Sequence, residues 1–135
     1  MMPEASHALP IRVYYEDTDF SGVVYHASYL RFLERGRTEL LRDLGVHQAA
    51  LHGDAAALTF AVRRMTIDWL KPARMDDMVT VETRIGAIKG ASLILLQRIR
   101  RGDELLLEAE VLVAAVSGGK AARLPAALKA RFGHS

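Results

Sequence analysis

The chain has 135 residues, half of them hydrophobic, with 18 basic against 16 acidic side chains and no cysteine. This length predicts one domain with a substantial core, and the near-even charge balance argues against a nucleic-acid partner. The lack of cysteine excludes disulfides and thiolate chemistry and fits the cytoplasm, while no apolar run approaches the roughly 20 residues of a membrane span.

The chain begins without a regular pattern and then shows strand and helix periodicity. Residues 1–9 are predicted to form a flexible arm before a single domain at residues 10–135. From Ile11 to Tyr15, apolar and polar residues alternate, which predicts a first strand. From Tyr29 to Leu44, leucines recur at intervals of three, four and seven, which predicts a long amphipathic helix with Ser28 as its N-cap.

Gly36 stands inside this predicted helix, where glycine costs about 1 kcal/mol relative to alanine. Two interpretations remain open at this stage. The glycine either reflects neutral drift or allows the helix backbone to approach another element closely.

Four longer strands are predicted after a polar bridge at His47 to Asp54. They cover Leu58–Leu70 (with a bulge near Arg63-Arg64), Asp77–Lys89, Ser92–Arg101 and Leu105–Val116. The short turns between the last three imply antiparallel neighbours. A short exposed helix is predicted at residues 125–132. One long helix against one antiparallel sheet is an α+β arrangement.

The segment VYYEDTDFSGVVYHASYL (residues 13–30) combines carboxylates and a histidine with apolar residues. The charged members are Glu16, Asp17 and Asp19, and the histidine is His26. Two aspartates and one histidine lack a further close ligand, so no metal site is predicted. The nucleophile elbow of serine hydrolases and the zinc motif H-E-x-x-H are absent from the sequence, and Ser117–Lys120 lacks the other residues of a phosphate-binding loop.

Gly22 permits a tight turn between Asp19 and the start of the helix, where backbone N–H groups have no intrahelical partner. Such groups attract the negative charge that develops on a carbonyl oxygen, and a nearby carboxylate can activate water or attack directly. This combination beside an apolar wall suits hydrolysis of an activated acyl compound such as a thioester. The alternative at this point is that the acidic residues only cap the helix.

The run YYEDTDFSGVVYHASYLRFLERGRTELLR resembles the signature of hotdog-fold acyl-CoA thioesterases of the 4-hydroxybenzoyl-CoA thioesterase family. It is most similar to the bacterial Tol–Pal-associated group, and the later segments FAVRRMTIDWLKPARMDDMV, GASLILLQRI and LLLEAEVLVAAV resemble that group too. The resemblance implies a five-stranded antiparallel sheet wrapped around one long helix. It also implies a homo-oligomer, either a dimer or a dimer of dimers, and no cofactor.

By position in this signature, the resemblance implies that Asp19 is the catalytic carboxylate. It places the oxyanion-binding backbone N–H groups between Gly22 and His26. The His26 side chain either orients the thioester, assists proton transfer, or only braces the loop. Three residues are implied to line the acyl pocket, with core packing as the alternative: Tyr15, Val24 and Tyr25.

CoA carries phosphates, and in this family it crosses a subunit interface near the turn that corresponds to Lys89–Ser92. Arg64, Lys89 and Ser92 are therefore candidate CoA-binding residues, with plain surface positions as the alternative. An acyl chain on acyl carrier protein is a second substrate form.

Hydrolysis of acyl-CoA to a free acid and CoA is the function that these implications favour. One rival is a hotdog hydratase, whose asparagine–proline loop and five-residue aspartate–histidine spacing are not found between Asp19 and His26. Another rival is a non-catalytic binding or scaffold protein of the cell-envelope machinery. That reading predicts damage at Asp19 or Gly22, and both residues are intact.

Overall fold

A computed structural model describes residues 6–45, 59–124 and 126–132 of the chain. Within these ranges the chain forms six strands and two α-helices: β1 (Ser6–Arg12), α1 (His26–Asp43), β2 (Thr59–Trp69), β3 (Met78–Lys89), β4 (Ser92–Arg101), β5 (Glu104–Ser117), β6 (Lys120–Ala121) and α2 (Ala126–Arg131). The polar bridge predicted at His47 to Asp54 lies outside the described residues. No helix in the described ranges is long and apolar enough to cross a membrane.

The strands form one antiparallel sheet in the order β1-β3-β4-β5-β2, and the two-residue β6 pairs with β5. The predicted α+β arrangement of five main strands and one long helix is therefore confirmed. β6 was not predicted, because the sequence marks Ser117-Gly118-Gly119 only as a break. Gly118 and Gly119 both adopt positive φ, which reverses the chain and lets it pair back onto β5.

The first strand begins earlier than its sequence pattern predicts. Residues 6–9, placed in the predicted arm, are paired with β3 from Ser6 opposite Arg84 to Leu9 opposite Val81. Proline usually argues against a strand because it has no N–H to donate to a neighbouring strand. β1 lies at the edge of the sheet, where Pro10 is tolerated, so the pairing with β3 still forms. β1 ends at Arg12, whereas the prediction continued to Tyr15.

The long helix also begins earlier than predicted, at His26, with Tyr25 as the N-cap. Ser28 is not the cap. Its side chain is buried in the first turn, where its hydroxyl accepts a hydrogen bond from Arg31 Nη2 at 3.0 Å.

α1 packs on the sheet so closely at Gly36 that a side chain does not fit there. A Cβ atom at this position would lie 2.6 Å from Val81 Cγ1 and 2.8 Å from Thr83 Oγ1. Beside it, buried Gln97 donates from Nε2 to the Leu33 carbonyl and to Thr83 Oγ1, both at 2.9 Å. Of the two interpretations of Gly36, close approach is therefore the correct one.

Two further predictions concern the bulge in β2 and the C-terminal segment. The pairing of β2 with β5 shifts register between Val62 and Arg64, where the bulge was predicted. The predicted C-terminal helix is present, and Ala126, Ala130 and Arg131 are exposed as predicted. Phe132 departs from the prediction because it is fully buried, and Leu124, just before the segment, is nearly so. Those two side chains anchor the end of the chain to the core.

Candidate active site

The segment between β1 and α1 folds into a narrow turn with Asp19 at its tip. The Asp19 N–H donates to the Val23 carbonyl at 2.9 Å, and the Tyr25 N–H donates to the Asp17 carbonyl at 2.9 Å. The Gly22 N–H closes the tip by donating to the Asp19 carbonyl at 3.0 Å. Gly22 has φ +83°, a conformation that side chains other than hydrogen rarely adopt.

The Asp19 side chain is exposed and is held by Ser21. Asp19 Oδ1 accepts the Ser21 hydroxyl at 2.6 Å and the Ser21 N–H at 2.8 Å. The hydroxyl bond, followed by the backbone bond, lowers the pKa of Asp19 below its ordinary value of 3.8. The Ser21 groups bind only Oδ1, and the Val23 backbone N–H also lowers this pKa. The turn thus presents an ionised, exposed carboxylate whose Oδ2 is not bound by Ser21.

Asp17, unlike Asp19, uses its carboxylate for a hydrogen bond to the backbone at the base of the turn. Its carboxylate accepts the Tyr14 N–H at 2.9 Å, while its carbonyl accepts the Tyr25 N–H. Asp17 therefore braces the base of the turn. In the part of the chain that the structure describes, no cluster of three or more His, Cys, Asp or Glu side chains could hold a metal ion.

The start of α1 offers backbone donors beside this turn. Tyr25 provides no side-chain cap, and the Ser28 N–H donates to the Tyr25 carbonyl at 2.9 Å. No acceptor for the N–H groups of His26 and Ala27 is found among residues 6–45, 59–124 and 126–132. Of the two predicted oxyanion donors, the Gly22 N–H is already used within the turn, whereas the N–H of His26 is open.

His26 contacts Trp69, an aromatic residue to which the sequence analysis assigned no role in the site. The imidazole lies against the indole of Trp69, with ring centroids 4.5 Å apart. Trp69 in turn meets the ring of Tyr29 edge-on at 5.5 Å, and the Tyr29 hydroxyl accepts the Ala73 N–H at 2.8 Å. Tyr29 follows His26 by three residues on α1, so helical spacing places the two on one side of the helix. Trp69 ends β2, and only the packed fold brings it to His26.

The predicted acyl-pocket residues do not enclose a pocket within the single chain. Tyr15 and Tyr25 are 80% and 56% exposed, whereas Val24 is 3% exposed and belongs to the core. A cavity of about 600 Å³ lies elsewhere, over the charged row of the sheet that includes Glu82 and Arg98. None of the predicted site residues lines it.

The candidate CoA-binding residues lie far from Asp19 in the same chain. Lys89 and Ser92 pair at the β3–β4 turn, with the Ser92 hydroxyl donating to the Lys89 carbonyl at 3.1 Å. β3 begins beside the turn that carries Asp19 and runs 12 residues to Lys89, which corresponds to roughly 36 Å. Arg64 lies midway along β2 and is exposed. One chain therefore does not unite Asp19 with the predicted CoA contacts.

Comparison with known proteins places this architecture among thioesterases. Residues 13–132 match the family model described as the thioesterase-like superfamily. The acyl-CoA thioester hydrolase YbgC of Escherichia coli is 49% identical over 126 residues, which cover 91% of this chain and 92% of the relative. The acyl-CoA thioesterase YbgC of Haemophilus influenzae is 44% identical over 135 residues, with 98% of each chain covered.

Solved structures of thioesterases also resemble this chain in fold. A probable thioesterase from Bartonella henselae superimposes with a TM-score of 0.83 at 45% identity, covering 90% of this chain and 100% of that chain. A mutant 4-hydroxybenzoyl CoA thioesterase with 4-hydroxybenzoyl CoA has a TM-score of 0.87 at 18% identity, covering 95% and 99%, and is alike in fold. The antiparallel sheet packed on one long helix, together with the turn that carries Asp19, thus defines a hotdog-fold protein of the thioesterase class. The chain belongs to the thioesterase-like superfamily.

Proposed function

We propose that the protein hydrolyses acyl-CoA thioesters to a free carboxylic acid and CoA. The observation that carries this proposal is the turn that presents the ionised Asp19 carboxylate beside the uncapped start of α1. Two relatives named as acyl-CoA thioester hydrolases or thioesterases share 49% and 44% of their residues with this chain over most of its length.

In the proposed reaction, the thioester carbonyl oxygen accepts the His26 N–H, with the Ala27 N–H as a second donor. These groups stabilise the negative charge that develops on the oxygen as the carbonyl carbon becomes tetrahedral. Asp19 Oδ2 acts in one of two ways. As a general base it takes a proton from water, whose oxygen attacks the carbonyl carbon. As a nucleophile it forms a mixed anhydride that water then cleaves. In both routes the carbon–sulfur bond breaks and CoA leaves as a thiolate that gains a proton.

The His26 side chain is proposed to orient the thioester or to supply that proton. Its ring has a defined position because it lies on Trp69, which supports the orienting role. Tyr15 and Tyr25 are proposed to contact the acyl chain, since both present large exposed rings next to the turn. Val24 supports that surface from the core below.

A complete site is proposed to need a second copy of the chain. β2 is an edge strand, and it exposes apolar side chains such as Val62. Unpaired strand edges favour pairing with another chain. The other edge, β1, contains Pro10, which has no N–H to offer to a partner. We therefore expect β2 to pair antiparallel with its copy around a two-fold axis.

Such pairing would reverse the partner, so that the Trp69 end of one β2 lies beside the Thr59 end of the other. Thr59 pairs with Val116 on β5, and the neighbouring Ala114 pairs with Ser92 on β4. The partner subunit's β3–β4 turn, with its Lys89 and Ser92, would thereby approach Asp19 from across the interface. Arg64 would lie near the two-fold axis, and CoA would bind between the subunits. A dimer of dimers would repeat the same interface.

The proposal is tested by following CoA release with a thiol reagent over a panel of short, long and aromatic acyl-CoAs. Asp19→Asn should lower kcat by several orders of magnitude, while Asp103→Asn, the same change at an exposed turn, should leave it unaltered. Acyl groups on acyl carrier protein should be assayed in parallel, because they are the proposed second substrate form. Binding of acyl-CoA without turnover would instead favour a non-catalytic role at the cell envelope.

A further inference from the structure

The loop between β2 and β3 (residues 70–77, called here the bracing loop) holds both ends of the segment that carries Asp19. On one side, the Val13 N–H donates to the Asp77 carbonyl and the Asp76 N–H donates to the Val13 carbonyl, both at 2.8 Å. On the other side, the Val24 N–H donates to the Ala73 carbonyl at 2.8 Å. The position of the turn therefore depends on the shape of the bracing loop.

The contact on the Val24 side leads directly to the Asp19 backbone. Val23 forms an isolated bridge with Arg74 of the bracing loop. The Val23 carbonyl accepts the Asp19 N–H at 2.9 Å. Two hydrogen-bonded steps thus connect the bracing loop with the residue proposed to carry the chemistry.

The bracing loop is not a helix or a strand, and its shape depends on side-chain contacts. Asp76 has φ +72°, the only positive φ of a non-glycine residue in the described ranges. Such a conformation persists where neighbouring contacts enforce it. Asp77 supplies one of these contacts, since its Oδ2 accepts the Arg74 N–H at 2.8 Å.

Arg101, the last residue of β4, binds the bracing loop at two points. Its Nη1 donates to Asp77 Oδ2 at 2.6 Å and to the Pro72 carbonyl at 3.3 Å. The other side of the guanidinium is fixed by Glu104, whose Oε1 accepts Nη2 at 2.7 Å and Nε at 3.1 Å. Glu104 Oε2 also meets Lys71 Nζ at 3.0 Å. A planar fork with several donors can hold two acceptors in a fixed relation, which an ammonium group cannot do.

We propose that Arg101 is a positioning residue for the hydrolysis, acting through Asp77 and the backbone of the bracing loop on the turn that presents Asp19. This inference rests on the proposed function. None of the hydrogen bonds of Arg101 involves Asp19 or His26. The effect of Arg101 is on where the carboxylate stands relative to the start of α1. Misplacing a reacting group by about 1 Å can lower a rate by about a hundredfold.

A purely structural role makes a different prediction. Ion pairs that remain partly open to solvent, such as those of Arg101, contribute little to stability. If Arg101 only stabilised the β4–β5 hairpin through Glu104, its removal would lower the unfolding temperature slightly. It would leave kcat unchanged at temperatures where the protein stays folded.

The chain offers a matched control at the neighbouring position. Arg100 Nε donates to Glu82 Oε1 at 2.9 Å, so it forms an ion pair of the same kind on the same strand. Its partner belongs to β3 and not to the bracing loop. Arg100→Gln therefore removes the same charge and one ion pair on the same strand without touching the proposed route to Asp19.

The experiment compares Arg101→Gln, Arg101→Lys and Arg100→Gln with wild type, well below their unfolding temperatures. We expect Arg101→Gln to lower kcat about 10- to 100-fold with KM changed less than about threefold. Arg101→Lys should recover part of the loss, because an ammonium group can still pair with Asp77. Amide hydrogen exchange at Val24, measured by NMR, should accelerate in Arg101→Gln and stay at the wild-type rate in Arg100→Gln.

Two results would overturn the inference. One is a kcat of Arg101→Gln equal to that of Arg100→Gln. The other is a loss of kcat with unchanged exchange at Val24, since Arg101 would then act by another route. If wild type releases no CoA from any substrate, the proposed function fails, and exchange at Val24 still decides whether Arg101 holds the turn.

Discussion

The imidazole of His26 lies on the indole of Trp69, with ring centroids 4.5 Å apart, so the first residue of α1 is supported by the last residue of an edge strand. We predict that Trp69→Ala lowers kcat about tenfold or more, because it frees the His26 ring, whereas Trp69→Phe keeps most of the activity. Val62→Ala, at an equally exposed position of the same strand, serves as the control for effects on strand pairing. In a His26→Ala background, Trp69→Ala should have no further effect on kcat; an additive loss would show that Trp69 acts elsewhere.

Ser21 sets the pH at which the Asp19 carboxylate becomes protonated. Its hydroxyl bond is the main cause of the lowered pKa of Asp19, so the ionised form persists below the ordinary value of 3.8. Ser21→Ala removes that bond, and we expect the acid limb of the kcat–pH profile to move to higher pH. The lowered pKa of Asp19 also stabilises the fold. This stabilisation is present when the pH is above the pKa of Asp19 in the unfolded chain, and it is lost as the pH falls through the lower pKa of Asp19 in the folded protein. Titration of Asp19 by carbon NMR checks the assignment, and an unmoved titration would refute it.

The close contact at Gly36 predicts that this helix position does not tolerate alanine. Overpacking against Val81 and Thr83 costs about 1 to 3 kcal/mol, and the better helix propensity of alanine returns about 1 kcal/mol. Because Val81 and Thr83 are both buried and have little room to move, we expect the overpacking cost to lie in the upper part of this range, so that Gly36→Ala lowers the free energy of unfolding by about 1 to 2 kcal/mol in urea titrations. Arg35→Ala, on the exposed side of the same helix, should change it by less than about 0.5 kcal/mol. A stabilised Gly36→Ala would mean that the helix can shift without loss.

Tyr29 links the core of α1 to the bracing loop. Its hydroxyl accepts the N–H of Ala73, a fully buried residue, so Tyr29→Phe leaves that donor unpaired at a cost of about 1 to 3 kcal/mol. Tyr14→Phe removes the hydroxyl of an exposed tyrosine and should be neutral. Chemical denaturation of both variants measures the difference. Equal midpoints would contradict the role of the hydroxyl, and a water molecule would then have to satisfy Ala73.

The proposed site between two subunits predicts that two impaired variants complement each other in a mixed dimer. Asp19→Asn removes the carboxylate, and Lys89→Ala weakens the proposed CoA contact of the other subunit. In a mixed dimer, one site carries both changes and the other carries neither. Co-refolding the two variants should therefore restore turnover at low acyl-CoA concentration towards that of intact sites. Activity that stays at the average of the two separate variants would place Lys89 and Asp19 in one subunit or remove Lys89 from the site.

Local periodicity was enough for most of the strands. Ser92–Arg101 is predicted to the residue, and the turns on either side of it are correct, because alternating burial and glycine turns are properties of adjacent residues. The resemblance carried by the motif around Asp19 led to the thioesterase-like superfamily, which the comparisons confirm. Prediction failed at the N-terminal end of the chain. β1 contains Pro10, and its partner strand lies some 70 positions away, as the pairing of Pro10 with Thr80 illustrates.

By itself, the sequence determined the antiparallel α+β architecture and the presence of Asp19, Gly22 and His26 in one short segment. Only the tertiary structure decided how each is used. The N–H of Gly22 is consumed within the turn, Trp69 reaches His26 from a distant strand, and Arg101 holds the loop behind Asp19. The physical reason is that periodicity and turn propensity act between neighbours along the chain. Hydrogen-bond partners and ring contacts depend on which strands and loops the packed core brings together.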